Sequence, residues 1–153
     1  MRALIQRVLN GHVSIQDQVI AEIGNGLVVF LGISSSDSLD DGKYLIQKIL
    51  NLRLFSNDTG RFEESVSERD FEILVVSQFT LYAQTRKGRR PSFIEAANGV
   101  EAKKIFDELI LLLKASKLRV SQGVFGEDMV VRLENDGPVT IFLDSKDRHV
   151  PRG

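Results

Sequence analysis

The sequence predicts a mixed α/β fold. It reads as one domain over residues 1–153, built on a curved, largely antiparallel sheet or barrel with two main helices packed outside. Three observations carry this expectation. Short apolar runs with strand character recur from end to end of the chain. Most are joined by brief hairpin-like links rich in Gly, Asn and Asp. Only two stretches place apolar residues at helical spacing, and no linker, repeat or low-complexity tract is long enough to separate two domains.

The elements follow in order. Residues 2 to 9 mix Leu4, Ile5, Val8 and Leu9 with Arg2, Gln6 and Arg7 and read as a first strand. Val13, Ile15, Val19, Ala21 and Ile23 then alternate with polar residues about Gln16-Asp17-Gln18, the pattern of a hairpin with one wet face. Gly24-Asn25-Gly26 is a turn signal, because both residue types tolerate positive φ. Leu27 to Ile33 is a near-continuous apolar run, as in a strand buried on both faces. Ser38 with Asp41 three residues on is a capping pair. Leu39, Leu45, Ile46, Ile49 and Leu50 then extend an amphipathic helix from 39 to about 53. Phe55 to Arg69 is polar and irregular around the turn Asn57-Asp58-Thr59-Gly60.

Phe71 to Val76 forms a buried strand that runs into Ser77-Gln78-Phe79-Thr80-Leu81-Tyr82. The basic segment Thr85 to Pro91 follows. Asn98 with Glu101 caps a second helix, whose apolar face is Ala102, Ile105, Phe106, Leu109, Leu112 and Leu113. Lys114 and Lys117 sit where the helix dipole favours cations. Leu118 to Ser121 is a short strand. Met129 to Leu133 and Val139 to Leu143 are two more, joined by Glu134 to Pro138. The basic tail, Lys146 to Gly153, reads as mobile.

Composition removes several chemistries. The chain has no cysteine, which excludes a thiol nucleophile, a disulfide framework and Cys-based zinc sites. Its net charge of −1 means that nucleic-acid contact must come from local clusters of Lys and Arg. No apolar run approaches the ~20 residues of a membrane helix. The opening residues also lack the apolar core of a signal peptide, so a cytoplasmic protein is expected. The two histidines, His12 in the first hairpin and His149 in the tail, have no spacing that builds a Ser-His-Asp triad. HExxH, Walker A and GxGxxG patterns are absent. An enzyme with these residues works through backbone N–H groups, an amide, hydroxyls and a shaped pocket. No metal and no cofactor is expected. Such a site suits a substrate that is already reactive.

Two segments carry sharper information. Ser77 to Thr80 could simply end a core strand, with Ser77, Gln78 and Thr80 closing backbone hydrogen bonds. Asn135-Asp136-Gly137-Pro138-Val139-Thr140 could simply turn the chain between two strands. Read together and in this order, the two segments resemble the D-aminoacyl-tRNA deacylases. The resemblance spans nearly the whole chain, from Met1-Arg2-Ala3 to the last strand.

That resemblance implies an esterase that hydrolyses the bond between a D-amino acid, and mischarged glycine, and the 3′ end of tRNA. It implies that Ser77 and Gln78 hold the ribose and the ester, and that the Phe79 N–H faces the developing oxyanion. Thr80 has no visible base to make it a nucleophile, so water or the substrate 2′-hydroxyl is the expected attacking group. The resemblance further implies that Gly137 and Pro138 form a Gly-cisPro motif that enters the active site of the partner in a homodimer. There it excludes L side chains sterically. Asn135, Val139 and Thr140 flank that motif, and Arg7 is expected to hold it through a carbonyl. Arg86, Lys87, Arg89 and Arg90 are either a solvated loop or contacts to tRNA phosphates. Two rivals remain open at this stage: a non-catalytic protein that binds tRNA ends, and a hydrolase of some other small acyl ester.

Overall fold

A computed structural model describes residues 1–151 of the chain. In chain order the elements are β1 (Arg2–Ile15), β2 (Gln18–Ile23), β3 (Gly26–Gly32), α1 (Leu39–Asn51), β4 (Arg53–Ser56), β5 (Phe62–Ser65), β6 (Glu72–Ser77), α2 (Gly99–Lys114), β7 (Val120–Gln122) and β8 (Val130–Asp144). Short 3-10 turns follow β6 and β8, at Phe79–Tyr82 and Ser145–His149.

β1 is the spine of a six-stranded sheet. The two runs separated in the sequence, 2–9 and 13–15, are one strand of 14 residues. Along one edge β1 pairs with β8 from Arg2 to Ser14. Along the other, Arg2–Val8 pairs with β3 and Gly11–Ile15 with β2, both antiparallel. The reversal between β1 and β2 is made by Gln16 and Asp17, both at positive φ (49 and 63°), which suits a two-residue hairpin.

Gly24-Asn25-Gly26 does not reverse the chain. Ile23 pairs with Gly11 and Gly26 with Val8, so β2 and β3 run on along the same edge of β1 across a bend. Neither glycine has positive φ. Gly26 is required by proximity: a Cβ there would lie 1.9 Å from the Glu72 carbonyl oxygen.

The pairings β3–β6 and β6–β7 are parallel. Parallel neighbours need long crossovers. The chain supplies one between β3 and β6 through α1, and another between β6 and β7 through α2. The two helices therefore cover one face of the sheet. Leu45, Ile46 and Ile49 of α1 and Phe106, Leu109, Ile110 and Leu113 of α2 close the main core on Ala3, Ile5, Leu27, Val29, Ile73 and Val75. Ile110 replaces the expected Leu112, which is more than one-third exposed. The opposite face curls on itself, enclosing Val8, Val13, Ile23, Val28, Leu74 and Val76 against Met129, Val131 and Leu133. The sheet is thus the barrel-like, mainly antiparallel one that the strand pattern predicts.

Three segments differ from the sequence reading. Where 55–69 reads as irregular, β4 (Arg53–Ser56) and β5 (Phe62–Ser65) form a separate antiparallel hairpin about the turn at Asn57–Gly60, because Leu54, Phe55 and Val66 bury into the main core. The pair of strands expected at 129–143 is a single strand, β8, because both halves pair with β1. Gly137-Pro138 is accordingly a bulge in a strand and not a hairpin turn. Between the pairs Gln6–Thr140 and Val8–Asn135, one residue of β1 faces four of β8, Asp136 to Val139. Of the tail expected to be mobile from Lys146, residues 146–149 belong to a 3-10 turn, Ser145–His149, docked on α1. Arg152 and Gly153 lie outside the described residues.

Both helix caps form as predicted. Asp41 Oδ2 accepts the Ser38 N–H (2.9 Å), and Asn98 Oδ1 accepts the Glu101 N–H (3.0 Å). Asp41 also stands 3.5 Å from Arg148 of the docked turn. Burial raises the Asp41 pKa, but the Ser38 N–H, the Ser145 and Ser38 hydroxyls and Arg148 outweigh it and leave the carboxyl at about 2.

Two outcomes are expected from stability measurements. Gly26→Ala forces a methyl group into the Glu72 carbonyl and should cost at least about 2 kcal/mol in urea unfolding. Gly24→Ala, which meets nothing within 4 Å, should change stability by less than about 0.5 kcal/mol. The second concerns acid. Because the folded pKa of Asp41 is depressed, its contribution is complete above the ordinary value of 3.8 and is lost as pH falls towards about 2. The urea midpoint should fall across that window, and Asp41→Asn should flatten the fall.

Candidate active site

The sequence of β6 explains where its strand ends. Ile73, Leu74, Val75 and Val76 are buried on alternating faces of a central strand. Ser77 is the last residue in the ladder, opposite Leu31 of β3. Gln78 leaves the sheet at φ −146°, ψ 79°, with its N–H still donating to the Leu31 carbonyl (2.8 Å). The chain then winds into the 3-10 turn Phe79–Tyr82, closed by Leu81 N–H to Gln78 O (3.3 Å) and Ala83 N–H to Thr80 O (3.0 Å). The N–H groups that open a helical turn find no acceptor within it. The Phe79 N–H makes no backbone hydrogen bond within the turn.

Ser77, Gln78 and Phe79 line a cavity of about 490 Å³. Its back wall is Leu31, Ile33 and Val76, and its far side is Phe125, Glu127 and Met129. The first turn of α2 adds Gly99 and Ala102. The cavity is apolar within and carries amide, hydroxyl and carboxylate groups at its margins, a common form for a small-ligand site. The Gln78 side-chain amide donates to Thr80 Oγ1, so that hydroxyl is engaged by an amide and not by a base. The Phe79 ring is 57% exposed and packs edge-on against Phe93, with centroids 5.0 Å apart.

The turn is braced from behind. Arg2 donates to the Leu81 carbonyl (3.0 Å), pairs with Asp144 (3.1 Å) and lies 4.5 Å from the centre of the Tyr82 ring. The Tyr82 hydroxyl donates to Asp37 (3.3 Å). Burial, reinforced by the Asp37 carboxylate, raises the Tyr82 pKa above its ordinary value. Burial raises the Asp144 pKa, but the Lys146 N–H and Arg2 bring it below the usual carboxylate value.

The second motif lies elsewhere. The Gly137-Pro138 peptide is cis and both residues are exposed. Neither lines the cavity. β8, β1, β3 and β6 are successive strands, so the two motifs within one chain lie about 14 Å apart across the strands, with a further offset of about four residues along them. The base of the bulge is closed by Asn135, whose Nδ2 donates to Arg7 O (3.0 Å) and Val139 O (3.1 Å). Val139 is buried in the main core, and Thr140 Oγ1 accepts from Gln6 (3.3 Å) at the surface. Arg7 donates to the Gly137 carbonyl at 3.2 Å, the hydrogen bond that the first-strand arginine was expected to make.

Arg86, Lys87, Arg89 and Arg90 are all exposed on a loop whose base is closed by Gln84 and Ser92. None makes an ion pair among the described residues. The loop begins a few residues after the 3-10 turn. Among the described residues, no three His, Asp or Glu side chains gather as a metal-ligand set. Sequence reasoning missed Phe125, Glu127 and Met129, because their place opposite β6 depends on the curling of the sheet. Gly126, at φ 83° between two of them, is a turn signal that could have marked the segment.

Comparison with known proteins agrees with this geometry. Residues 4–144 match the family model described as D-Tyr-tRNA(Tyr) deacylase. Relatives named D-aminoacyl-tRNA deacylase include one from Clostridium beijerinckii, 51% identical over 146 residues, covering 95% of this chain and 98% of the relative. Another, from Dehalococcoides mccartyi, is 49% identical over 152 residues and covers 99% of both. Among solved structures, the c-Myc DNA Unwinding Element Binding Protein superposes with a TM-score of 0.89 at 38% identity, over 94% of this chain and 98% of that one. A structure described as a probable eukaryotic D-amino acid tRNA deacylase shares the fold, with a TM-score of 0.83 at 19% identity over the same shares. With its cavity at the end of β6, its bulge at Gly137-Pro138 and a family match over nearly its whole length, the chain belongs to the D-Tyr-tRNA(Tyr) deacylase family.

Proposed function

We propose that the chain hydrolyses D-aminoacyl-tRNA to free amino acid and tRNA and spares the L form. The observation that carries this reading is the cavity at the end of β6, lined by Ser77, Gln78 and Phe79 and followed in sequence by an exposed basic loop. The aminoacyl ester is activated by its own ammonium group and by the neighbouring 2′-hydroxyl. Positioning and oxyanion stabilisation then supply most of the acceleration.

Ser77 and Gln78 hold the ribose and the ester, and the Phe79 N–H receives the negative charge that develops on the carbonyl oxygen. Water, directly or through the substrate 2′-hydroxyl, adds to the carbonyl carbon. The bond from that carbon to the ribose oxygen breaks, and the oxygen leaves with a proton as the tRNA 3′-hydroxyl. Thr80 is not the nucleophile in this scheme, because its hydroxyl lies against the Gln78 amide. No metal or cofactor enters it.

Stereochemical choice belongs to Gly137 and Pro138. They stand exposed and away from their own cavity, and in a two-fold homodimer they would enter the partner's. Their backbone would occupy the space an L side chain needs, whereas glycine, without a side chain, would pass and glycyl-tRNA would also be cleaved. Arg86, Lys87, Arg89 and Arg90 contact tRNA phosphates and carry no sequence preference. No described helix is long and apolar enough to cross a membrane, and the substrate class assigns the protein to the cytoplasm.

The test pairs D-tyrosyl-tRNA with L-tyrosyl-tRNA, with and without chelator. Rapid loss of the D ester alone, unchanged by chelator, is expected. Binding of both forms without hydrolysis would make the chain a tRNA-end-binding protein instead. Gln78→Ala should lower kcat/KM for the D substrate by about 10–100-fold. Neutralising the four basic residues should weaken binding of different tRNAs alike. It should also flatten the salt dependence by about 0.7–0.9 in log–log slope for each phosphate no longer neutralised. An unchanged slope returns the loop to solvent.

A further inference from the structure

Arg7 is the single β1 residue that faces the four-residue bulge of β8, and its guanidinium also reaches a third element. Nη2 donates to the Gly137 carbonyl (3.2 Å), while Nη1 donates to the Leu54 carbonyl on β4 (2.6 Å). Nε stands 2.8 Å from Asp136 Oδ2, an ionic contact whose N–H is not aligned for a hydrogen bond. The guanidinium carbon lies 5.1 Å from the centre of the Phe62 ring on β5. Arg7 is only 6% exposed, whereas Phe62 is 46% exposed.

β4 and β5 form no ladder with the six-stranded sheet, and their own register is irregular. The hairpin is nonetheless seated by Leu54, Phe55 and Val66 in the main core. It therefore presents Leu54 O and the Phe62 ring to Arg7 from a rigid base. Such a ring is more than a surface residue. Its π face attracts the cation, and its bulk keeps water from competing for the guanidinium donors. Asp136 supplies the counter-charge that a buried arginine needs.

We propose that the β4–β5 hairpin controls stereochemical selectivity, with Phe62 as the positioning residue that holds the Arg7 guanidinium against the Gly137 carbonyl. The inference rests on the reading of Gly137 and Pro138 as the wall that rejects L substrates. Rejection by a wall is a difference between two affinities. A small displacement of Gly137 admits an L side chain while leaving a D side chain, which points elsewhere, in place. Loosening the hairpin therefore acts on the L substrate first.

The experiment measures kcat/KM for D- and L-tyrosyl-tRNA with wild type, Phe62→Ala, Phe62→Leu and Phe62→Tyr, alongside thermal melts. Phe62→Ala should lower the D-to-L ratio by about tenfold or more, chiefly through faster L turnover. Phe62→Tyr, which keeps the ring, should restore it, and Phe62→Leu should resemble Phe62→Ala. A purely structural Phe62 would shift the melting temperature and leave the ratio alone. A ratio within about twofold of wild type in folded Phe62→Ala overturns the inference. Should Phe62→Ala not fold, Phe62→Leu decides by the same criterion. Wild type without D-selective turnover overturns the reading of Gly137 and Pro138, and this inference with it. Selective wild type with unchanged variants overturns the hairpin's role alone.

Discussion

The structure depends on the double occupancy of β1. One edge is taken by β8 and the other by β2 and β3 in succession, so every strand of the main sheet is referred directly or indirectly to Arg2–Ile15. A strand paired on both edges cannot slip without turning its buried set outward. Against so fixed a spine, excess length in a neighbouring strand must loop out. Asp136 to Val139 does so opposite Arg7, and Asn135 ties the loop at its base. The bulge is thus held by the sheet register itself, although its two tip residues are exposed.

The same register places the cavity. β6 is parallel to β3, and its ladder ends at Ser77 because the chain must leave the sheet to reach α2. A strand end of this kind releases backbone amides just where a helical turn begins. The Phe79 N–H, which makes no backbone hydrogen bond within the turn, lies at that transition. Arg2 and Tyr82 stiffen the turn from the core side, so the groups facing the cavity are backed by buried contacts.

Two arginines of one strand therefore serve the two motifs. Arg2 braces the turn that follows Ser77, and Arg7 braces the bulge at Gly137. They differ by five positions and so lie on opposite faces of β1, apart from irregularities in its pairing. Each donates to a carbonyl and also faces a carboxylate, a use that suits the planar, many-donor guanidinium better than a lysine ammonium.

The local elements were legible in the chain alone. The capping pairs Ser38–Asp41 and Asn98–Glu101 start both helices, and apolar periodicity set their buried faces. The run before Ser77 marked a buried strand, and the order of the two motifs was enough to name the family. These are short-range signals, fixed by backbone propensity and by the burial of one face. How the pieces join was settled by packing in three dimensions. Gly24-Asn25-Gly26 has the composition of a reversal yet continues along β1, because Gly26 must admit the Glu72 carbonyl. Residues 129–143 have the pattern of two strands yet form one, because β1 offers a single long edge. Phe125, Glu127 and Met129 reach the cavity only through the curling of the sheet, and Phe62 meets Arg7 only because a separate hairpin docks beside the bulge. Contacts of this kind join residues tens of positions apart, and no local preference encodes which edge or carbonyl will be waiting.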